Sequence, residues 1–161
     1  MNPSVSNRHL KDLFPKERLS EKIWAYNPDD NQKVTGSDHT IRPEIKQALT
    51  AIASKFIEFI GVPIDPEDIT LTGSMANFTH TEFSDIDIHI LLDFSTVDDD
   101  LDLVNEFMMA KKTIWNDRHD IFVKGHKVEL YPQDTNEVHD STGVYSIVSG
   151  EWIEDPVLIS D

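Results

Sequence analysis

Residues 85–93 constrain the fold more than any other stretch, because apolar residues fall there on every second position: Ile86, Ile88, Ile90 and Leu92. Successive side chains of a strand point to opposite faces, so this spacing predicts a strand with one wholly apolar face. Asp85, Asp87, His89 and Leu91 then share the other face. One side is core and the other carries acid, which requires a sheet with a second layer on its apolar side.

Two stretches have the helical period that such a layer needs. In residues 43–60, Ile45, Leu49, Ile52, Phe56 and Ile60 recur at three and four; Pro43 suits a first turn, and Gly61 with Pro63 stops the run. Further on, Leu101, Val104, Phe107, Met108, Ile114 and Trp115 form a second stripe behind Asp98-Asp99-Asp100, which reads as a solvated acidic cap at a helix N-terminus. Residues 69–72 read as a short strand ending at Gly73. Residues 121–123 and 127–131 flank Lys124-Gly125-His126 as a hairpin, with Pro132 expected to end its second strand.

The expected fold class is therefore α/β (α+β): a mixed sheet of about four to five strands flanked by helices. At 161 residues the chain suits a single core. Residues 1–40, broken by Pro3, Pro15, Pro28 and Gly36, are expected to form an irregular segment packed on the core, with a short helix at 17–26 docked through Leu19, Ile23 and Trp24. Residues 41–161 are expected to form the main domain, its tail packed through Val144, Tyr145, Ile147, Val148, Trp152 and Ile153.

A formal net charge of −16 repels phosphate backbones and removes the counterion release that drives non-specific binding, so long DNA or RNA is disfavoured as a partner. A small substrate held through a cation is not, because the ion reverses the local field. With no cysteine, neither disulfides nor thiolate metal sites are available, and the seven histidines have no zinc spacing. No apolar run approaches the ~20 residues that span a bilayer, and residues 1–16 lack the pattern of a signal peptide. A cytoplasmic location without membrane attachment is expected.

Two aspartates at i and i+2 of a strand lie about 6–7 Å apart on one face. Ionised carboxylates so close repel each other, and one or two hard cations would offset that cost. Taken alone, Asp85-Ile86-Asp87 would also suit a solvent-facing strand edge. Gly73-Ser74 adds a strand end where glycine permits close approach of a phosphate, although an ordinary turn with a serine cap has the same sequence. Glu129, between Val128 and Leu130, should face away from the core on the side that carries the aspartates. His89 shares that face, either as a structural hydrogen-bonding group or in contact with a ligand. Lys111 and Lys112 fit a solvated helix face or the charge of a triphosphate; His119 and His126 have no assigned role.

Gly73-Ser74-Met75-Ala76, eight further residues, then Asp85-Ile86-Asp87 in an apolar strand and a later strand-borne acid resembles the nucleotidyltransferase superfamily that includes DNA polymerase beta. The run Gly-Ser-x-Ala and Ser84-Asp85-Ile86-Asp87 is most similar to the small stand-alone minimal nucleotidyltransferases. The resemblance is tight over residues 69–92 and looser to residue 131. It implies that Gly73 and Ser74 hold nucleotide phosphates and that Asp85, Asp87 and Glu129 are catalytic and bind two Mg2+ (or Mn2+) ions. The activity it implies is transfer of a nucleoside monophosphate from a nucleoside triphosphate such as ATP to an unidentified hydroxyl, releasing pyrophosphate. Many small members place Arg-Gly after the alanine, where this chain has Asn77-Phe78. A catalytically silent module of the same fold, binding a nucleotide or a partner protein, is the alternative. Only about thirty residues follow Glu129, so a homodimer or partner chain could complete the pocket, with Trp115, Tyr145 and Trp152 either on that surface or in the core.

Overall fold

The computed structural model describes residues 16–28, 35–137 and 141–158. In chain order these hold β1 (Trp24–Tyr26), β2 (His39–Ile41), helix α1 (Pro43–Ile60), β3 (Asp68–Thr72), β4 (Ile86–Leu92), helix α2 (Leu101–Arg118), β5 (Phe122–Val123), β6 (His126–Asp134), β7 (Val144–Ser146) and β8 (Trp152–Glu154). The main sheet runs β5-β6-β4-β3-β7-β8, and β1 pairs with β2 apart from it. Within the main sheet only β4 and β6 are parallel. Parallel neighbours need a long crossover, and α2 lies in it. The architecture is α+β.

Strand β4 follows its alternation. Ile86, Ile88, Ile90 and Leu92 are fully buried, together with Leu71 of β3 and Val128 and Leu130 of β6. The same cluster contains Ile45, Leu49, Phe56 and Ile60 of α1 and Val104, Met108 and Trp115 of α2. Each such side chain contributes about 1.5–3 kcal/mol on burial, so this face supplies most of the driving force for the fold. Asp100 caps α2, its side chain accepting from Leu103 N at 3.1 Å.

Four expectations need correction. The sheet has six strands, not four to five, because the C-terminal apolar residues pair as β7 on β3 and β8 on β7. No helix forms at 17–26: a single turn, with Trp24 N donating to Ser20 O, leads straight into β1. Tertiary bonds outweigh the weak local preference there, since Trp24 Nε1 donates to Met75 O (2.8 Å) and Leu19 N to His39 Nε2 (3.2 Å). Leu19, Ile23 and Trp24 are buried all the same. Pro132 does not end β6, which runs on to Asp134. Leu130 bonds Asn116 of α2 through both backbone groups, so it points away from β4. Pro132, two residues on, points the same way, and its missing N–H falls on the open edge of the sheet. Finally, Asp85 lies just before β4 and not within it.

The aromatic residues of the tail are core. Tyr145 is buried edge-on against Trp24 (4.9 Å between centroids), and Trp152 stacks on Trp24 at 4.8 Å. Trp115 packs against Phe56 and Phe59.

Candidate active site

The strand registers place the polar side chains of the open sheet face in rows. Thr72, Asp87 and Glu129 stand abreast on β3, β4 and β6; Thr70, His89 and Tyr131 form the next row; Asp68, Leu91 and Gln133 the one after. Neighbours in such a row have Cβ atoms about 5 Å apart, so Asp87 and Glu129 can reach a common ligand. Asp85, fully on the approach to β4, is exposed, whereas Asp87 and Glu129 are half-buried.

Above Asp87 runs the loop that follows β3. Gly73 has φ 76° and ψ −167°, a combination open essentially to glycine alone. A Cβ at this position would run into the Asp87 carboxylate. Glycine here thus serves both the turn and the close approach of backbone to acid. Ser74 opens a single 3-10 turn, Ser74–Ala76, and is not its cap; that place belongs to Gly73.

Burial, followed by the charges of Asp85 and Glu129, pushes the Asp87 carboxyl up from 3.8 to about 6. Three carboxylates therefore act on one another electrostatically. They do not form a ready-made cage: among the described residues no three acidic or histidine side chains converge tightly enough to hold a metal ion. Glu129 instead has Lys127 Nζ 3.8 Å from its Oε1, and the same ammonium lies 3.7 Å from Asp120 Oδ1.

The family model of the nucleotidyltransferase domain matches residues 46–144, from the first turn of α1 to the start of β7. The chain belongs to this family. No curated protein and no solved structure gives a match.

Within this nucleotidyltransferase domain, Asn77 and Phe78 have structural work of their own. Asn77 Nδ2 donates to Gly73 O (2.7 Å) and to Thr142 O (3.2 Å), tying the glycine loop to the segment before β7. A side chain at Gly143, where φ is 70°, would collide with Asn77 and with Ala76 O. Phe78 is buried, edge-on to His39. The strap Gly73–Asn77–Thr142 links positions 65 residues apart, so sequence reading could not find it; the one signal was that Asn77 departs from the pattern of small nucleotidyltransferases. Lys127 was missed as well, although its i, i+2 spacing to Glu129 on a strand marks it as a neighbour.

His89 Nδ1 donates to Gln133 Oε1 (2.7 Å) and its ring lies 4.9 Å from that of Tyr131. Lys111 Nζ donates to Phe59 O at 3.2 Å, while Lys112 Nζ sits 4.9 Å above Tyr131, two residues along β6 from Glu129. Neither lysine lies on a merely solvated face. His126 Nδ1 donates to Ser84 O (2.6 Å), fixing the end of the loop that delivers Asp85. Further along the open face, Thr70, Thr72, His89, Gln133, Val144 and Glu154 line a cleft of about 190 Å³.

Proposed function

We propose that this chain transfers a nucleoside monophosphate from a nucleoside triphosphate to a hydroxyl acceptor, releasing pyrophosphate, with Asp85, Asp87 and Glu129 as the catalytic acids. The observation that carries the reading is the row in which Asp87 and Glu129 stand abreast, directly beneath Gly73. Family membership makes nucleotidyl transfer the chemistry expected of such a row.

The donor set fits Mg2+ or Mn2+. It consists of hard carboxylate oxygens on a shared face, and burial first, then the charges of Asp85 and Glu129, disfavour the ionised Asp87 carboxylate, a cost that a cation offsets. Asp85, Asp87 and Glu129 would hold one or two such ions after small side-chain rotations, Glu129 exchanging Lys127 for the metal. A divalent ion in that position supplies charge neutralisation at the phosphates and a lower pKa for the attacking hydroxyl. The chain's own part is positioning. Gly73 brings backbone close to the phosphates, and Ser74, whose hydroxyl bonds nothing among the described residues, follows it in the same loop. The cleft beside His89 and Gln133 suits one ring of the nucleoside or of the acceptor, being smaller than the 300–1,000 Å³ of whole-ligand pockets.

The ion pair of Lys127 with Glu129 favours a second reading, a silent module whose third acid is neutralised internally. Thermal melts with ATP and the other triphosphates, with and without Mg2+, separate the two. The transferase reading expects stabilisation by a triphosphate only with Mg2+, and pyrophosphate release that Asp87→Asn abolishes. No shift under any combination sinks it.

A further inference from the structure

The acid row does not account for a second groove, which shares no lining residue with it. It has a volume of about 630 Å³ and is lined by Lys16, Arg18, Arg42 and His80 together with the acids Glu17 and Glu21, and by Tyr26 and the buried Leu19 and Trp24. An adjoining groove shares Glu21 and Arg42 and adds Lys22, Lys124 and Glu44. Among the described residues, five lysines and arginines thus line these two grooves, with three acids. On a chain of net charge −16 this is a local reversal of sign, and a reversal in a concave site attracts anions.

The arginines are held ready for a ligand. Arg18 lies over the ring of Tyr26, its Cζ 4.3 Å from the centroid, and Arg42 Nε donates to Glu21 O at 2.7 Å. Each contact fixes one side of a guanidinium, and neither arginine pairs with a carboxylate among the described residues. A fixed guanidinium fork matches the oxygens of a phosphate bidentately. The groove also adjoins the nucleotidyltransferase loop: Lys16 N donates to Phe78 O (2.6 Å), His80 Nε2 to Arg18 O (2.8 Å), and Trp24 beneath it to the carbonyl of Met75, next to Ser74.

We propose that this groove binds a phosphate ester, that of the acceptor substrate, the word acceptor resting on the transferase reading above. Arg18 and Arg42 grip the phosphate, and Lys22 adds field.

The test is made in EDTA, where the acid row has no cation through which to hold a phosphate. Ribose 5-phosphate, a 5′-phosphorylated DNA hexamer and hexaglutamate are titrated against the whole chain, wild type and the variants Arg18→Gln and Arg42→Gln, by NMR or calorimetry. The two phosphate ligands are expected to bind the wild type, to weaken as salt rises, and to bind each variant about tenfold more weakly. Stabilisation of both variants by ATP with Mg2+ should match the wild type. That second readout also shows that they are folded and tests the transferase reading separately. A hexamer bound tenfold more tightly than ribose 5-phosphate makes the acceptor a nucleic-acid end; equal affinities make it a small phosphorylated molecule. Absence of phosphate binding in EDTA, unchanged affinity in both variants, hexaglutamate binding as tightly as the hexamer, or displacement of the phosphate by ATP with Mg2+ overturns the proposal. Should one variant fail to fold, the other and the salt dependence of the wild type still decide it.

Discussion

Replacing Asp87 by asparagine is expected to stabilise the metal-free protein while abolishing transfer. In the folded chain the Asp87 carboxyl is raised from 3.8 to about 6, first by burial and then by Asp85 and Glu129. In the unfolded chain it returns to the ordinary value, so between these limits the folded state holds a proton that the unfolded state lacks. Stability therefore falls as pH rises from about 4 to about 6, and the whole penalty persists above that window. At roughly 1.4 kcal/mol for each tenfold change, the penalty at neutral pH would be about 3 kcal/mol; solvent reaches part of the carboxylate and screens it, leaving about 1–2 kcal/mol. Asparagine keeps the shape and removes the charge, which for a chain of this size corresponds to a gain of about 2–6 °C in melting temperature.

Urea denaturation in EDTA measures this directly, at pH 8 and again at pH 4.5. The variant should be the more stable at pH 8, and the difference should shrink at the lower pH as the wild-type carboxyl takes up its proton. A variant less stable than wild type at pH 8, or a gain that is the same at both values, refutes the electrostatic account of the row. Asp85→Asn supplies the contrast: Asp85 is exposed, so its neutralisation should change stability less while still removing transfer.

Gly73→Ala should cost about 1–3 kcal/mol, because alanine meets both a forbidden backbone conformation and the Asp87 carboxylate; chemical denaturation reads the loss, and a neutral effect would show that the loop is not held as described. Asn77→Ala removes the bonds to Gly73 O and Thr142 O, and is expected to lose about 1–2 kcal/mol of stability and on the order of tenfold in kcat through misplacement of the glycine loop. Steady-state kinetics with kcat unchanged would reduce Asn77 to a purely structural strap. Lys127→Met frees Glu129 of its ammonium and should tighten Mn2+ binding a few-fold in a calorimetric titration; weaker binding would remove Glu129 from the proposed ligand set.

How much of this was legible depended on the range of the interaction concerned. The alternation of Ile86, Ile88, Ile90 and Leu92 is local, and it fixed β4, its buried face and the face of Asp87 without any knowledge of the neighbours. The placement of Glu129 beside Asp87 needed only the alternation of β6 and a register of two strands. Pro132 misled because a proline ends a strand only when its nitrogen faces a partner, and that depends on which edge is open. The turn before β1 could not be foreseen at all: residues 17–26 have a serviceable helical stripe, and what decides against a helix is Met75 O and the His39 ring, far along the chain. The basic groove escaped for the same reason, its arginines being scattered singly through an acidic sequence.

These ranges also explain how the chain carries a row of mutually repelling acids. The apolar face of β4 lies directly opposite Asp87, and Ile86 and Ile88, the residues on either side of it, are fully buried. Each of those contributes about as much as the penalty of about 1–2 kcal/mol at Asp87, so the alternation that places the acid also offsets its cost. The loop has no such reserve. Gly73 is held over the acid by Asn77 and by Met75's bond to Trp24, contacts made with segments that lie outside the β3–β4 hairpin altogether. Loosening Trp24 should therefore lower activity at substitutions that leave the acid row intact. Trp24→Phe, which keeps an aromatic ring against Trp152 and loses the indole N–H together with the five-membered ring that fills part of the core, tests it: a fall in kcat at unchanged Mn2+ affinity is expected, and an unaltered kcat would show that the loop keeps its position without that bond.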